Sequence, residues 1–147
     1  MATFHLTSTD YPSGESYALI QGATYDYVVF WYPEDLTGFV PRGQIRTNYL
    51  QKEGELVVSF QFHPVIYEQR TLNEVTGFYS KIHPYLTARQ TELINFDLRK
   101  RKSLSEEVKP GRNVWVYDIE LERLSDQYVI KVAKGWVEVE LEVTGND

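Results

Sequence analysis

From residue 136 the sequence reads Trp-Val-Glu-Val-Glu-Leu-Glu-Val. Successive side chains of a β-strand point to opposite faces, so Val137, Val139, Leu141 and Val143 share one face and Glu138, Glu140 and Glu142 the other. The same rule upstream sets Trp115, Tyr117, Ile119 and Leu121 opposite Asp118, Glu120 and Glu122. A helix cannot present this pattern to a core, because its apolar face recurs every three to four residues. The chain must therefore build antiparallel sheet with one face buried. Ser125-Asp126 supplies a turn, Tyr128 to Lys134 a second strand, and Gly135 a break before the third. Trp31, Phe60, Trp115, Tyr117, Ile119, Val137, Val139 and Leu141 are expected in the core. The glutamate row is expected to be a solvated face, neutralised by Arg123, Lys131 and Lys134 on the adjacent strand. A straight row does not converge on a point, so it offers no Ca²⁺ site.

Turn residues cut the rest into similar short runs. Thr3 to Ser8 is extended and precedes a turn cluster, Asp10-Tyr-Pro-Ser-Gly14. Tyr17 to Gln21 ends at Gly22. Thr24 to Tyr32 is apolar on both faces at its end, which reads as a central strand. Phe39 to Asn48 carries Pro41 and Gly43, so an edge or bulged strand is expected. Lys52-Glu53-Gly54 turns into Leu56–Phe62, with Leu56, Val58, Phe60 and Phe62 on one face. His63 to Tyr85 is less regular, but the turn signal at Asn73 to Gly77 makes it a hairpin. Thr87 to Leu93 is a short helix, with Thr87 as N-cap and Gln90 closing a capping box. Asn95 to Arg112 is charged and holds Pro110-Gly111, which reads as an exposed loop, with a helical turn within it as the alternative. About seven to nine short strands in one domain, residues 1–147, favour an all-β antiparallel sandwich over βαβ units.

Composition excludes more than it selects. There is no cysteine, hence no disulfide framework, thiolate metal site or cysteine nucleophile. The opening MATFHLTSTDYPSGES has neither a basic region nor an apolar run, so no secretory signal is expected. No run of apolar residues is long enough for a membrane span. A formal net charge of −6 speaks against nucleic acid as a partner. His5, His63 and His83 lie far apart in sequence, two of them before prolines. None has a partner at local metal-ligand spacing, so structural or surface roles are expected, with no metal and no cofactor. The Phe62-His-Pro64 and Ile82-His-Pro84 steps, twenty residues apart, read as coincidence. Without GxSxG, GxGxxG or a P-loop there is no motif for nucleophilic or phosphate chemistry. No catalytic residue is assigned, and the chain is not expected to be an enzyme. Eleven tyrosines, seven phenylalanines and three tryptophans suit pleated sheet, and tyrosine also suits protein interfaces.

Two stretches, in order, carry a family resemblance. The first is Ile20-Gln-Gly-Ala-Thr-Tyr25, an apolar strand ending near Trp31, then Asp35-Leu-Thr-Gly-Phe39 and Gln44-Ile-Arg46. The second is Val116-Tyr-Asp-Ile-Glu-Leu121, a turn, a strand, Gly135 and a strand closing with Glu142-Val-Thr144. Together they resemble the small immunoglobulin-like structural domain of tailed bacteriophages and prophages, found in tail and baseplate proteins. Leu86-Thr-Ala-Arg-Gln-Thr-Glu-Leu93 is similar to the helical turn that precedes the second motif there. The resemblance covers roughly the first fifty and last sixty residues. It implies an immunoglobulin-like β-sandwich and a virion structural protein of the tail, baseplate or neck, or a fibre adaptor, made in the host cytoplasm. It also implies other virion proteins as partners, in a homo-oligomer or a hetero-oligomeric assembly, without nucleic acid or membrane.

Segments 63–85 and 95–112 are longer than the family pattern and read as insertions. They supply the expected interface: Val65, Ile66, Tyr67, Phe78 and Tyr79 from the first, Arg99, Lys100, Arg101 and Lys102 from the second. Within the motifs, Asp35 is expected to accept backbone N–H bonds in a turn, and Gly38 to tolerate positive φ. The alternative function is a carbohydrate-binding module, in which Tyr49, Tyr67, Tyr79 and Tyr85 stack on sugar rings.

Overall fold

The computed structural model describes residues 2–7, 17–48, 55–94 and 112–140. In chain order these form β1 (Ala2–Thr3), β2 (Leu19–Ile20), β3 (Phe30–Tyr32), β4 (Val40–Arg46), β5 (Leu56–Ser59) and β6 (Gln61–Phe62). They continue with β7 (Ile66–Leu72), β8 (Val75–Ile82), β9 (Pro84–Tyr85), α1 (Ala88–Glu92), β10 (Arg112–Arg123) and β11 (Tyr128–Glu140). The fold is all-β but mixed: a six-stranded sheet in the order β1-β11-β10-β4-β5 with β2 also on β11, a three-stranded sheet β3-β8-β7, and the pair β6-β9. β1 and β2 run parallel to β11; the other pairs are antiparallel.

The core lies where the large sheet meets the β3-β8 end of the small one. Trp115, Tyr117, Ile119 and Leu121 are buried from β10, with Val137 and Val139 from β11 and Ile45 from β4. Phe30, Ile82, Leu86, Tyr25, Val28 and Phe60 meet them, with the Phe30 and Phe60 rings 6.4 Å from Tyr117. Six of the eight residues expected in the core are buried there. Leu141 lies outside the described residues, and Trp31 is half-buried on the outer face of β3 beneath the Arg70 guanidinium, 4.4 Å from the ring centroid. α1 starts as expected: the Thr87 Oγ1 accepts from the Gln90 N–H at 3.1 Å, and the Gln90 Oε1 accepts from the Thr87 N–H at 3.0 Å.

Other expectations are corrected. The run ending at Tyr32 is not central: β3 is an outer strand of its sheet and, among the described residues, pairs with β8 alone. β4 is not an edge strand but lies between β10 and β5. Pro41 is tolerated because β5 reaches only as far as Gln44, so the Pro41 side facing away from β10 has no ladder to lose. The bulge half of that expectation holds, with a register shift at Ile45/Arg46. Leu56–Phe62 is not one strand with one apolar face: it breaks at Phe60, which alone is buried, while Leu56 is exposed.

Gly135 does not divide two strands. β11 runs through it unbroken, and Lys131 and Lys134 therefore share a strand with Glu138 instead of facing it. Lys131 pairs across the ladder with Glu120, and Arg123 pairs with Asp126. Glu138 is not solvated but only 6% exposed, because both faces of β10-β11 are covered at that end, Val114 and Val116 included. Alternation reports which residues share a face; it does not report what covers the face. The positive φ falls at Gly22 (85°) and not at Gly38, while Asp35 Oδ1 accepts from the Thr37 N–H at 3.0 Å as expected. The turns at 10–14 and 52–54, the expected loop 95–112 except for Arg112, which belongs to β10 instead, and Glu142 and Val143 lie outside the described residues. Among the described residues, no helix is long and apolar enough to cross a membrane.

Candidate functional site

Segment 63–85 is regular, not irregular. β7 and β8 pair from Ile66↔Lys81 to Leu72↔Val75 and turn through Asn73 and Glu74, with φ of 51° and 67°. Two consecutive positive φ values make the hairpin turn whose twist matches its strands. The base of the hairpin is anchored. Ile82 and Ser80 are fully buried, and the Ser80 Oγ accepts from the Leu36 N–H at 2.8 Å while donating to the Glu34 carbonyl at 2.6 Å. Two residues further out on the same face, Phe78 is 55% exposed. It meets Tyr67 diagonally across the ladder, ring centroids 5.7 Å apart. Ile66 and Val75 are exposed as well.

Of the expected interface residues, Tyr67 and Phe78 are thus exposed together on one face of the hairpin, and Ile66 is exposed on the other. Val65 packs against the core, and Tyr79 is half-buried with its ring against Gly77. Val75, exposed on the same face as Ile66 but at the far end of the hairpin, was not singled out from sequence. Arg99, Lys100, Arg101 and Lys102 lie outside the described residues. Of the tyrosines considered for sugar stacking, Tyr67 is exposed, Tyr85 is stacked on His63 at 4.4 Å, and Tyr49 lies outside the described residues.

A second constellation lies at the base of the same hairpin. β6 and β9 pair Gln61↔Tyr85 and Phe62↔Pro84, one residue out of register with β7-β8. This brings the two His-Pro steps side by side, and the His63 N–H donates to the His83 carbonyl at 3.1 Å. The residue before a proline is held extended, and the two imidazole rings lie 4.3 Å apart. Asp26 arrives from a third segment, fixed by its neighbour Tyr25, whose N–H and C=O both bond Leu86. Asp26 Oδ1 is 2.7 Å from His63 Nε2 and 3.0 Å from His83 Nε2. The sequence-based view of these histidines as distant is overturned by the register. A usable signal existed: His63 and His83 are nearly equidistant from the Asn73-Glu74 turn. Asp26 had no such signal.

A cleft of about 280 Å³ opens on the outer face of β4, β10 and β11. Arg42 bonds Glu120 and Glu122, each at 2.5 Å, and Lys131 also bonds Glu120. Burial pushes the Glu120 carboxyl up, but its bonds to Lys131 and Arg42 outweigh that and hold it below the ordinary range. Asp118 next to them is pushed up, by burial first and by the Glu120 charge second. These charges largely neutralise one another, so the cleft has no dominant sign with which to draw a charged ligand.

No family model, curated protein or solved structure matches the chain.

Proposed function

We propose that the protein is a non-enzymatic structural subunit of a tailed-phage virion, an immunoglobulin-like domain of the tail, baseplate or neck that works by contact with neighbouring subunits. The observation that carries the contact reading is the β7-β8 hairpin, whose base is locked by Ser80 and Ile82 while Tyr67 and Phe78 form an exposed aromatic pair on one face and Ile66 and Val75 are exposed on the other. Contiguous exposed apolar surface on a folded protein is characteristic of interfaces. Among the described residues β7 is also an outer strand, seven residues long and without proline, and such an edge can add a strand from a partner. The virion setting rests on the resemblance of the motifs around Gly22 and Tyr117.

The test is incorporation. The double variant Tyr67→Ser/Phe78→Ser keeps its circular dichroism spectrum, because neither residue belongs to the core, and is expected to be lost from purified particles as read by mass spectrometry. Normal incorporation of a folded double variant would sink the contact reading. A monomer that binds polysaccharide through Tyr67 would support the carbohydrate-binding alternative instead.

A further inference from the structure

The geometry points to a divalent transition-metal site at Asp26, His63 and His83, independent of the assembly reading. The three side chains each offer one ligand atom, and these atoms lie within 4.8 Å of one another. Two imidazoles and one carboxylate form a nitrogen-rich donor set suited to Zn²⁺ and its neighbours, whereas Ca²⁺ and Mg²⁺ ask for oxygens throughout. Tetrahedral zinc with bonds of about 2.0–2.2 Å places its ligand atoms roughly 3.3 Å apart. The Asp26–His63 and Asp26–His83 separations of 2.7 and 3.0 Å therefore need to widen by only about half an ångström.

The ligands come from separate pieces of chain, each fixed by its own backbone or ring contacts. Asp26 is set by the paired bonds between Tyr25 and Leu86, His63 and His83 by the backbone bond between them, and the His63 ring by stacking on Tyr85. His83 Nε2 also lies 3.1 Å from the Asp26 carbonyl oxygen. Asp26 and His63 are each about two-fifths exposed, with side-chain values of 42% and 41%, so the ion has a path in and room for water or a fourth ligand. Each imidazole would bind through Nε2, its proton on Nδ1.

Zinc chloride titrated calorimetrically into the full chain, purified without a polyhistidine tag, should bind one equivalent. Excess calcium should not compete. The variants Asp26→Asn, His63→Gln and His83→Gln, each checked for folding by circular dichroism, should bind at least tenfold more weakly. Imidazole resonances of the unaltered protein give a readout that does not depend on any variant folding: zinc should move those of His63 and His83 and leave His5, which is stacked on Trp136, in place. If zinc leaves the His63 and His83 resonances unmoved, or the folded variants bind as tightly as the parent, the cluster is a hydrogen-bonded clasp and the site is refuted.

Discussion

The Tyr117 hydroxyl donates a 2.5 Å hydrogen bond to the carbonyl oxygen of Phe4. The contact ties β10 to the N-terminal segment across β11, and it works because the residue opposite Tyr117 in the ladder is Gly135. A Cβ at position 135 would stand 2.3 Å from the Phe4 oxygen and 3.1 Å from the Tyr117 ring. The segment Phe4–Leu6 thus lies along β11 only because that position has no side chain.

Gly135→Ala should therefore destabilise the protein by about 1–3 kcal/mol, the usual range for overpacking. The clash is with backbone and cannot be relieved by a rotamer change. Urea denaturation checks it. Gly38→Ala, where an added Cβ meets nothing within 4 Å, serves as the comparison and should change little.

Ile119 is fully buried at the centre of the large sheet. Ile119→Ala should cost about 2–5 kcal/mol, transfer and cavity contributions together. A midpoint within error of the parent would mean that β10 turns its other face to the core.

Glu74 holds a φ of 67°, a region that L-residues other than glycine, asparagine and aspartate enter at a cost of roughly 1–2 kcal/mol. Glu74→Gly makes the turn Asn-Gly, the preferred pair for this geometry. Stability should rise by about 1 kcal/mol or less, because glycine gives part of the relief back as unfolded-chain entropy. A fall in the denaturation midpoint would contradict the turn geometry.

The Asp118 carboxyl is raised in the fold by burial and by the Glu120 charge. A group with a raised folded pKa binds its proton more tightly in the native state. Asp118 therefore favours folding at low pH and penalises it increasingly as pH rises from the ordinary aspartate range through its raised value. Asp118→Asn should raise the urea midpoint at neutral pH, and the gain should shrink on mild acidification. Glu120 works in the opposite sense: its lowered pKa gives stability that is present above the ordinary glutamate range and lost as pH falls through the lowered value. A gain from Asp118→Asn that grows on acidification would overturn this account.

What the sequence made legible was local. The Trp115-to-Leu121 face, the Thr87/Gln90 cap, the break at Gly22 and the existence of a hairpin around Asn73 each follow from a few neighbouring residues. Strand order did not. Nothing near Tyr32 tells an outer strand from an inner one, and Pro41 advertises an edge although only half of its strand lacks a second neighbour. The joining of His63 to His83 depends on the register of a hairpin twenty residues across, and Asp26 depends on a further bridge to Leu86. The exposure of apolar residues at 63–85 was partly legible, because Ile66, Tyr67 and Phe78 were visible there, but their regular pairing was not.

Strand β11 also sets the order in which the molecule can be completed during its own synthesis. Ala2 and Leu6 pair with Ala133 and Val137, while Leu19 pairs with Val139. At translation speeds of roughly 5–20 residues per second, the N-terminal strands wait on the order of ten seconds for their partner. During that interval the β7-β8 hairpin, built from neighbouring residues, can already close. The nascent chain can thus expose Tyr67 and Phe78 before its main sheet exists, and a shielding factor on the ribosome would be of most use to it then.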